Sequence, residues 1–283
     1  MKRILIAMLL ALSTASDMHA QTSNAGRYAN VNGIKMYYEV HGAGRPLVLL
    51  HGGGSTIFTT FGTTLPLFAR NHQVIAVELQ AHGRTSDRNA PESFAQDADD
   101  VAELLKQLHI EKADILGFSN GGSTTLQVAI RHPQLVNKLI AVSGIYKRDG
   151  MIPSFWPFMQ KGSFKDMPQG LKDAFLSVTP DSAKLLNMHR KDVQRMLTFK
   201  DWPVSDIRSI KSPGLIIASD QDVVRPEHAL EIARLLPHGS AAIFPGVHGE
   251  FLGEATTGHP GSKVPALFVA MVDEFLAATP EAR

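Results

Sequence analysis

Short apolar runs alternate with helical patterns along most of this 283-residue chain. Short runs dominated by apolar residues, typical of strands buried on both faces, occur at Leu47–Leu50, Val74–Val77, Ala113–Leu116, Leu139–Val142 and Gly214–Ala218. Two further strands are predicted at Ile34–Val40 and Ala241–Phe244. Helical patterns separate them at Ser55–Arg70, Ser93–Leu108, Asn120–Pro133, Glu227–Leu236 and Val264–Ala278. This alternation predicts an α/β fold, with a mostly parallel, twisted sheet and helices on both faces.

The alternation stops between residues 146 and 205. No strand-like run occurs there, and prolines separate short helical patches that carry aromatic and methionine side chains. We therefore predict a helical cap at 146–205, inserted into an α/β core formed by residues 21–145 and 206–283.

The N-terminus has the layout of a secretory signal peptide. Lys2 and Arg3 precede an apolar run at residues 4–12, and small and polar residues follow up to Ala20. The run is too short to span a membrane, so we expect no membrane anchor. The absence of cysteine suits an exported protein whose core is large enough to fold without disulfides. The sequence thus predicts a signal peptide at 1–20 and a secreted or periplasmic protein.

Charge and motif content narrow the class of partner. The formal net charge of +1 gives no electrostatic basis for binding nucleic acid. The sequence contains no H-E-x-x-H pattern and no glycine pattern for dinucleotides or nucleotide phosphates. We therefore expect no metal, no cofactor and a small-molecule substrate. Glu250 and Glu254 are expected to be solvated.

The segment from Gly117 to Gly121 fits the pattern G-x-S-x-G between a predicted strand and a predicted helix. In that context the pattern is a nucleophile elbow, a tight turn that lifts the hydroxyl of Ser119 clear of the sheet. Side chains at 117 and 121 would collide with the neighbouring strand and helix. The first N–H groups of the helix are unpaired and can stabilise negative charge nearby.

A serine nucleophile needs a base, and the base needs a group that orients it. Two later strands end in loops that carry such residues, at the sheet edge where open α/β folds place their chemistry. We predict His248 as the base and Asp222 as the orienting acid, with Asp220 as the alternative acid.

These loops, in this order, resemble those of the α/β-hydrolase superfamily, of the capped serine esterase type, over roughly residues 28–145 and 206–278. The resemblance implies Ser119, Asp222 and His248 as the catalytic triad. It also implies backbone N–H groups of Gly53 and Asn120 as the oxyanion hole. The family's D-x-x-G-H-G-x-S loop is altered here, because Glu78 and Ala81 replace its aspartate and first glycine, which leaves the role of His82 open.

The cap suggests a bulky apolar substrate. The candidate pocket residues are Ser55, Phe58, Trp156, Met159 and His189. The cap segment, including Asp192-Val193-Gln194-Arg195-Met196, is similar to that of a group of bacterial capped hydrolases, some of which are serine-dependent macrolide esterases. The expected activity is cleavage of a carboxylic ester or lactone, with the ring ester of macrolides as a narrower possibility. The alternatives are a ligand-binding sensor on a hydrolase scaffold and a cofactor-free perhydrolase or C–C hydrolase.

Overall fold

The computed structural model describes residues 26–279, so the predicted signal peptide lies outside the described residues. Within that range the chain forms one eight-stranded sheet in the order β1-β2-β4-β3-β5-β6-β7-β8. The strands are β1 (Arg27–Val31), β2 (Ile34–His41), β3 (Arg45–Leu50), β4 (His72–Val77), β5 (Ala113–Phe118), β6 (Val136–Val142), β7 (Gly214–Gln221) and β8 (Gly239–Val247). The β1–β2 and β2–β4 pairs are antiparallel and the other pairs are parallel. The predicted fold class is confirmed.

The described residues also form ten α-helices. They are α1 (Ile57–Phe61), α2 (Leu65–Phe68), α3 (Phe94–Gln107), α4 (Asn120–Arg131), α5 (Phe155–Lys161), α6 (Gln169–Val178), α7 (Ser182–Thr198), α8 (Val204–Ser209), α9 (Pro226–Leu235) and α10 (Val264–Ala277). None of the helices between residues 26 and 279 combines the length and hydrophobicity needed to cross a bilayer.

Successive side chains of the central strands enter two different hydrophobic clusters, one on each face of the sheet. In β3, Val48 and Leu50 pack in the cluster that includes apolar residues of α3, α4 and α9. Leu47 and Leu49 pack in the cluster on the other face, with residues of α1, α2 and α10. Because side chains alternate across a strand, an uninterrupted apolar run is required wherever both faces are covered.

Two features of the fold differ from the sequence-based prediction. Strand β1 was not predicted, because only Val31 at its end is fully buried and the rest of the strand is largely exposed. The helical segment predicted over Ser55–Arg70, with an interruption at Pro66, forms two short helices that separate before Pro66. Pro66 lies in the first turn of the second one, where its missing N–H costs nothing.

Helices α5 to α8 lie between β6 and β7, and we refer to the segment from 146 to 205 as the cap. Its own small core contains buried residues on α6 and α7 and in the segment before them, namely Met167, Leu171, Phe175, Leu185 and Met188. Helix α8 begins at Val204, and its Ile207 is buried in the core cluster formed with α3, α4 and α9.

Candidate active site

Ser119 lies at a strained turn between β5 and α4. Its backbone has φ of 57° and ψ of −116°, a conformation that non-glycine residues rarely adopt. The flanking glycines are required by close packing. A Cβ atom on Gly117 would lie 2.0 Å from the carbonyl oxygen of Gly121, and one on Gly121 would lie 2.1 Å from that of Leu50. The local geometry is therefore that of a nucleophile elbow.

The structure brings Ser119, His248 and Asp222 into one hydrogen-bonded row. Nε2 of His248 lies 3.1 Å from Oγ of Ser119, and Nδ1 lies 2.5 Å from Oδ1 of Asp222. The ring of His248 also packs against that of Phe118, with centroids 4.6 Å apart. The alternative acid, Asp220, is exposed and instead accepts a hydrogen bond from the N–H of Gly246 at 2.8 Å.

Asp222 is buried and is held by several donors. Oγ of Ser143 donates to its Oδ2 at 2.5 Å, and the N–H groups of Ser219 and Val224 donate at 3.2 Å each. Burial alone would raise the pKa of Asp222, but the charge and hydrogen bond of His248, together with the bonds from Ser143 and Val224, lower that pKa below its ordinary value. Asp222 is therefore ionised and can orient the imidazole.

The candidate oxyanion donors line the same cavity as Ser119. Across residues 26–279, the backbone N–H groups of Gly53 and Asn120 find no protein acceptor. The loop that carries Gly53 is shaped by His51, whose Nδ1 donates to the carbonyl of Gly52 and whose Nε2 accepts from the N–H of Leu79. Burial and the charge of His82 lower the pKa of His51 to about 3, so this histidine is neutral.

The cavity has a volume of about 460 Å³ and lies between the triad and the cap. Of the predicted pocket residues, Ser55, Met159 and His189 line it. Burial lowers the pKa of His189, whose ring contacts that of Phe164 edge-on at 5.4 Å. The cavity wall is thus mostly apolar with a few polar groups.

The other two predicted pocket residues, Phe58 and Trp156, do not line this cavity. Phe58 is 73% exposed on the outer face of α1. Trp156 is held within the cap, because its Nε1 donates to the carbonyl of Arg148 at 2.9 Å and the guanidinium of Arg148 stacks 3.6 Å from its ring centroid. The structure therefore does not bring Phe58 or Trp156 to the cavity beside Ser119.

Glu254 also differs from expectation, because it is buried and lines the cavity instead of being solvated. Oε2 of Glu254 accepts two hydrogen bonds from Thr256, one from the backbone N–H at 2.7 Å and one from the hydroxyl at 2.5 Å. Glu250 is partly buried and pairs with His259, with 3.3 Å between Oε1 and Nε2.

A buried cluster of charged residues was not predicted beside the loop that carries Gly53 and Gly54, which we call the oxyanion loop because of its proposed role. It comprises His82, Glu92, Asp97, Asp192 and Arg195. Asp192 contacts His82, and Arg195 donates to both Asp192 and Asp97. The signal was present in the sequence: Asp192 and Arg195 belong to the buried stripe of α7, which is otherwise apolar.

The charges in this cluster are set by burial and by one another. Burial opposes protonation of His82, but the charge and hydrogen bond of Asp192 raise its pKa to about 9. The same contacts, with Arg195, lower the pKa of Asp192 despite burial. Burial raises the pKa of Glu92 to about 8 and that of Asp97 to about 6. At neutral pH, His82 and Arg195 are therefore positive and Asp192 is negative.

Comparison with known proteins identifies the family. A family model described as alpha/beta hydrolase fold matches residues 45–186, half of the chain. The chain therefore belongs to the α/β-hydrolase family. Over 119 residues the chain is 35% identical to 2-hydroxymuconate semialdehyde hydrolase from Pseudomonas sp. strain CF600. The matched segment covers 41% of this chain and 42% of that hydrolase. The chain spans less than half the length of the curated relatives it matches.

Two solved structures share the fold. A serine hydrolase involved in carbazole degradation superposes with a TM-score of 0.73 at 21% identity, covering 89% of this chain and 98% of its own. The enol-lactonase from Burkholderia xenovorans LB400 superposes with a TM-score of 0.70 at 18% identity, covering 89% and 100%. At these identities the likeness shows the fold alone.

Proposed function

We propose that this protein is a serine hydrolase that cleaves carboxylic esters or lactones through an acyl-enzyme. The observation that carries the proposal is the unbroken row from the hydroxyl of Ser119 to Nε2 of His248 at 3.1 Å, and from Nδ1 to the carboxylate of Asp222 at 2.5 Å. Oxygen nucleophiles need a base within this reach.

In the proposed mechanism, His248 takes the proton of Ser119 as Oγ attacks the carbonyl carbon. Asp222 keeps the proton on Nδ1, so that Nε2 is free to accept, and it stabilises the imidazolium that forms. The positive φ of Ser119 presents Oγ to the cavity before substrate arrives. The nucleophile therefore needs no backbone rearrangement to react.

The carbonyl oxygen becomes an oxyanion, which the N–H groups of Gly53 and Asn120 bind. Each donor of this kind contributes about a hundred- to thousandfold in rate. His248 then gives its proton to the departing alkoxide, and the tetrahedral intermediate collapses to an ester on Ser119. Water, activated by the same histidine, releases the acid and restores the hydroxyl. For a lactone, alcohol and acid remain in one product molecule.

The cavity supports a substrate that is largely apolar around its ester. Its lining combines Met159 and other apolar cap residues with Ser55 and His189. A volume of about 460 Å³ accepts a medium-sized acyl or lactone group. The cap segment resembles that of a group of capped hydrolases that includes macrolide esterases, and a macrocyclic lactone is therefore the narrower form of this proposal. The predicted export would expose the enzyme to substrates outside the cytoplasm.

Substrate profiling tests this proposal. Purified protein is assayed with p-nitrophenyl esters of increasing chain length, simple lactones and 14- and 16-membered macrolides, each beside Ser119→Ala. We expect hydrolysis by the wild-type protein and its loss in the variant. Equal hydrolysis by both proteins would refute the assignment. Activity limited to short linear esters would remove the macrolide form and leave the esterase.

A second candidate is hydrolysis of a carbon–carbon bond beside a ketone. It is favoured by the 35% identity to 2-hydroxymuconate semialdehyde hydrolase over 119 residues. A ring-fission ketone added to the same panel separates ester hydrolysis from C–C hydrolysis, because a C–C hydrolase would turn the ketone over faster than any ester.

The ligand-binding sensor is tested by the same protein. Labelling of Ser119 by a fluorophosphonate without turnover of any substrate would favour a sensor.

A further inference from the structure

The carboxylate of Asp192 reaches from cap helix α7 into the core. Its Oδ2 accepts a hydrogen bond from the N–H of Gly54 at 2.6 Å and lies 2.9 Å from Nε2 of His82. Its Oδ1 accepts from Nδ2 of Asn120 at 3.2 Å and from the guanidinium of Arg195. One cap side chain therefore binds the segments that follow β3, β4 and β5.

Two of these contacts are made at the proposed oxyanion hole. Gly54 directly follows Gly53, and Asn120 provides its own backbone N–H. The packing is close: a Cβ atom on Gly53 would lie 2.4 Å from Nδ2 of Asn120 and 3.3 Å from Oδ2 of Asp192. A displacement of Asp192 would therefore disturb the loop, the asparagine or both. Oxyanion donors stabilise the transition state only when they are aligned in advance.

Charge on both sides fixes Asp192 in place. Nδ1 of His82 faces the carbonyl oxygen of Gln80 at 2.8 Å, and its Nε2 faces Asp192. The N–H of Gly54 also lies 3.2 Å from Nε2, but the charge and hydrogen bond of Asp192 raise the pKa of His82 to about 9, so His82 is an imidazolium at neutral pH. On the other side, Arg195 bonds Asp192 and also Asp97 of α3 at 2.8 Å. A buried carboxylate placed between two cations has few alternative positions.

We infer that Asp192 is a positioning residue for the oxyanion hole, and that docking of α7 on the core aligns the donors of Gly53 and Asn120. The inference rests on the proposed function, since an oxyanion hole acts only in a reaction with a tetrahedral intermediate. Both carboxylate oxygens are occupied by protein donors, so Asp192 acts through Gly54 and Asn120. The site is then competent only while the cap is docked.

The neighbouring residue provides a matched control. Lys191 also joins α7 to the core, because its Nζ bonds Asp87 at 2.6 Å and the carbonyls of Arg88 and Ala90 at 2.8 Å each. These contacts are made away from the cavity lining. Lys191→Met thus removes a cap–core contact without touching the oxyanion loop.

The test compares Asp192→Asn with Lys191→Met and the wild-type protein on one p-nitrophenyl ester. An amide has a single acceptor oxygen, so the asparagine loses either the Gly54 side or the Asn120 side. End-point titration with a fluorophosphonate counts competent sites, which separates chemistry from misfolding. We expect kcat per titrated site to fall about 10- to 100-fold in Asp192→Asn, with KM changed less than about threefold. Lys191→Met should keep kcat within about twofold.

A second readout and a second variant guard against loss of folding. The Ki of a boronic acid, whose tetrahedral adduct places an oxyanion in the hole, should rise in proportion to the loss of kcat. Asn120→Ala breaks the same contact from the core side, keeps the backbone N–H, and should lower kcat about 3- to 10-fold. The inference would be overturned if kcat per titrated site in Asp192→Asn equals that of the wild-type protein. In that case any fall in total activity would come only from the loss of titratable sites. Undiminished hydrolysis by Ser119→Ala would instead show that the proposed function has failed.

Discussion

Ser119 and His248 are 129 residues apart in the chain, yet Oγ of the serine and Nε2 of the histidine are separated by 3.1 Å. The sheet produces this contact. Parallel strands β5, β7 and β8 end at the same edge, so the loops that follow them meet there. The chemistry proposed for the site depends on this convergence.

Asp222, and not Asp220, should support catalysis. Asp222→Asn would leave His248 free to adopt the wrong tautomer, and we expect kcat to fall by about 10⁴, as an asparagine does in a serine-protease triad. Asp220→Asn retains an acceptor for the N–H of Gly246 and should stay within about threefold of wild type. Ester hydrolysis by the two purified variants checks this, and a larger loss in Asp220→Asn would reverse the assignment.

Ser143 should contribute to stability through Asp222. Ser143→Ala removes the 2.5 Å hydrogen bond to a buried carboxylate, which costs about 1.5–3 kcal/mol of unfolding free energy near pH 7. The pKa of Asp222 is lowered in the folded protein, so this stabilisation is present above the unfolded pKa of 3.8 and is lost as the pH falls through the folded value. Urea unfolding at several pH values should show the gap between the two proteins closing in acid. A constant gap would contradict this account.

The buried His82 should make stability decrease in alkali. Its folded pKa of about 9 lies above the ordinary histidine pKa of 6.5, so its contribution is complete below about pH 6.5 and is lost as the pH rises through about 9. The groups that face it are Asp192, Glu92, Arg195 and His51. The raised pKa values of Glu92 and Asp97 also make stability decrease as the pH rises, because the folded state again binds more protons than the unfolded state.

His82→Gln isolates the contribution of the histidine. Unfolding free energies measured from pH 6 to 10 should fall less steeply in this variant than in the wild-type protein. Parallel profiles for the two proteins would mean that His82 is not charged in the folded state.

The elbow should tolerate no side chain at residue 121. Gly121→Ala would place Cβ 2.1 Å from the backbone oxygen of Leu50, a collision that no rotamer relieves, and we expect at least about 3 kcal/mol of destabilisation or insoluble protein. Gly170→Ala on α6 has no atom within 4 Å of the new Cβ and should be neutral or stabilising by up to about 1 kcal/mol. Thermal unfolding of the pair measures both effects, and equal melting temperatures would disprove the packing argument.

The sequence was sufficient to predict the fold where burial imposes a pattern. Strands β3 to β7 are covered on both faces, so apolar residues dominate them and the strands are easily found. Strand β1 is mostly exposed and is stabilised by backbone pairing with β2, which leaves little trace in side-chain chemistry. The order of the strands likewise depends on packing that no local pattern reports.

The same limit applies to the site. Ser119, Asp222 and His248 follow strands, and strand ends are predictable from the chain. Asp192 comes from a cap helix whose position on the core is set by tertiary contacts, so its approach to Gly54 could not be deduced. The exposure of Phe58 could not be predicted for a related reason. A position close to the oxyanion loop in sequence does not determine on which face of α1 a side chain lies.

The most direct test of the central claim is covalent labelling of the nucleophile. The wild-type protein is treated with a fluorophosphonate, and the adduct is located by peptide mass spectrometry, beside Ser119→Ala and His248→Gln. We predict one adduct on Ser119, none in Ser119→Ala, and labelling slowed by at least about 10³-fold in His248→Gln, which lacks the base. An adduct on another residue, or equal labelling rates in wild type and His248→Gln, would contradict the account.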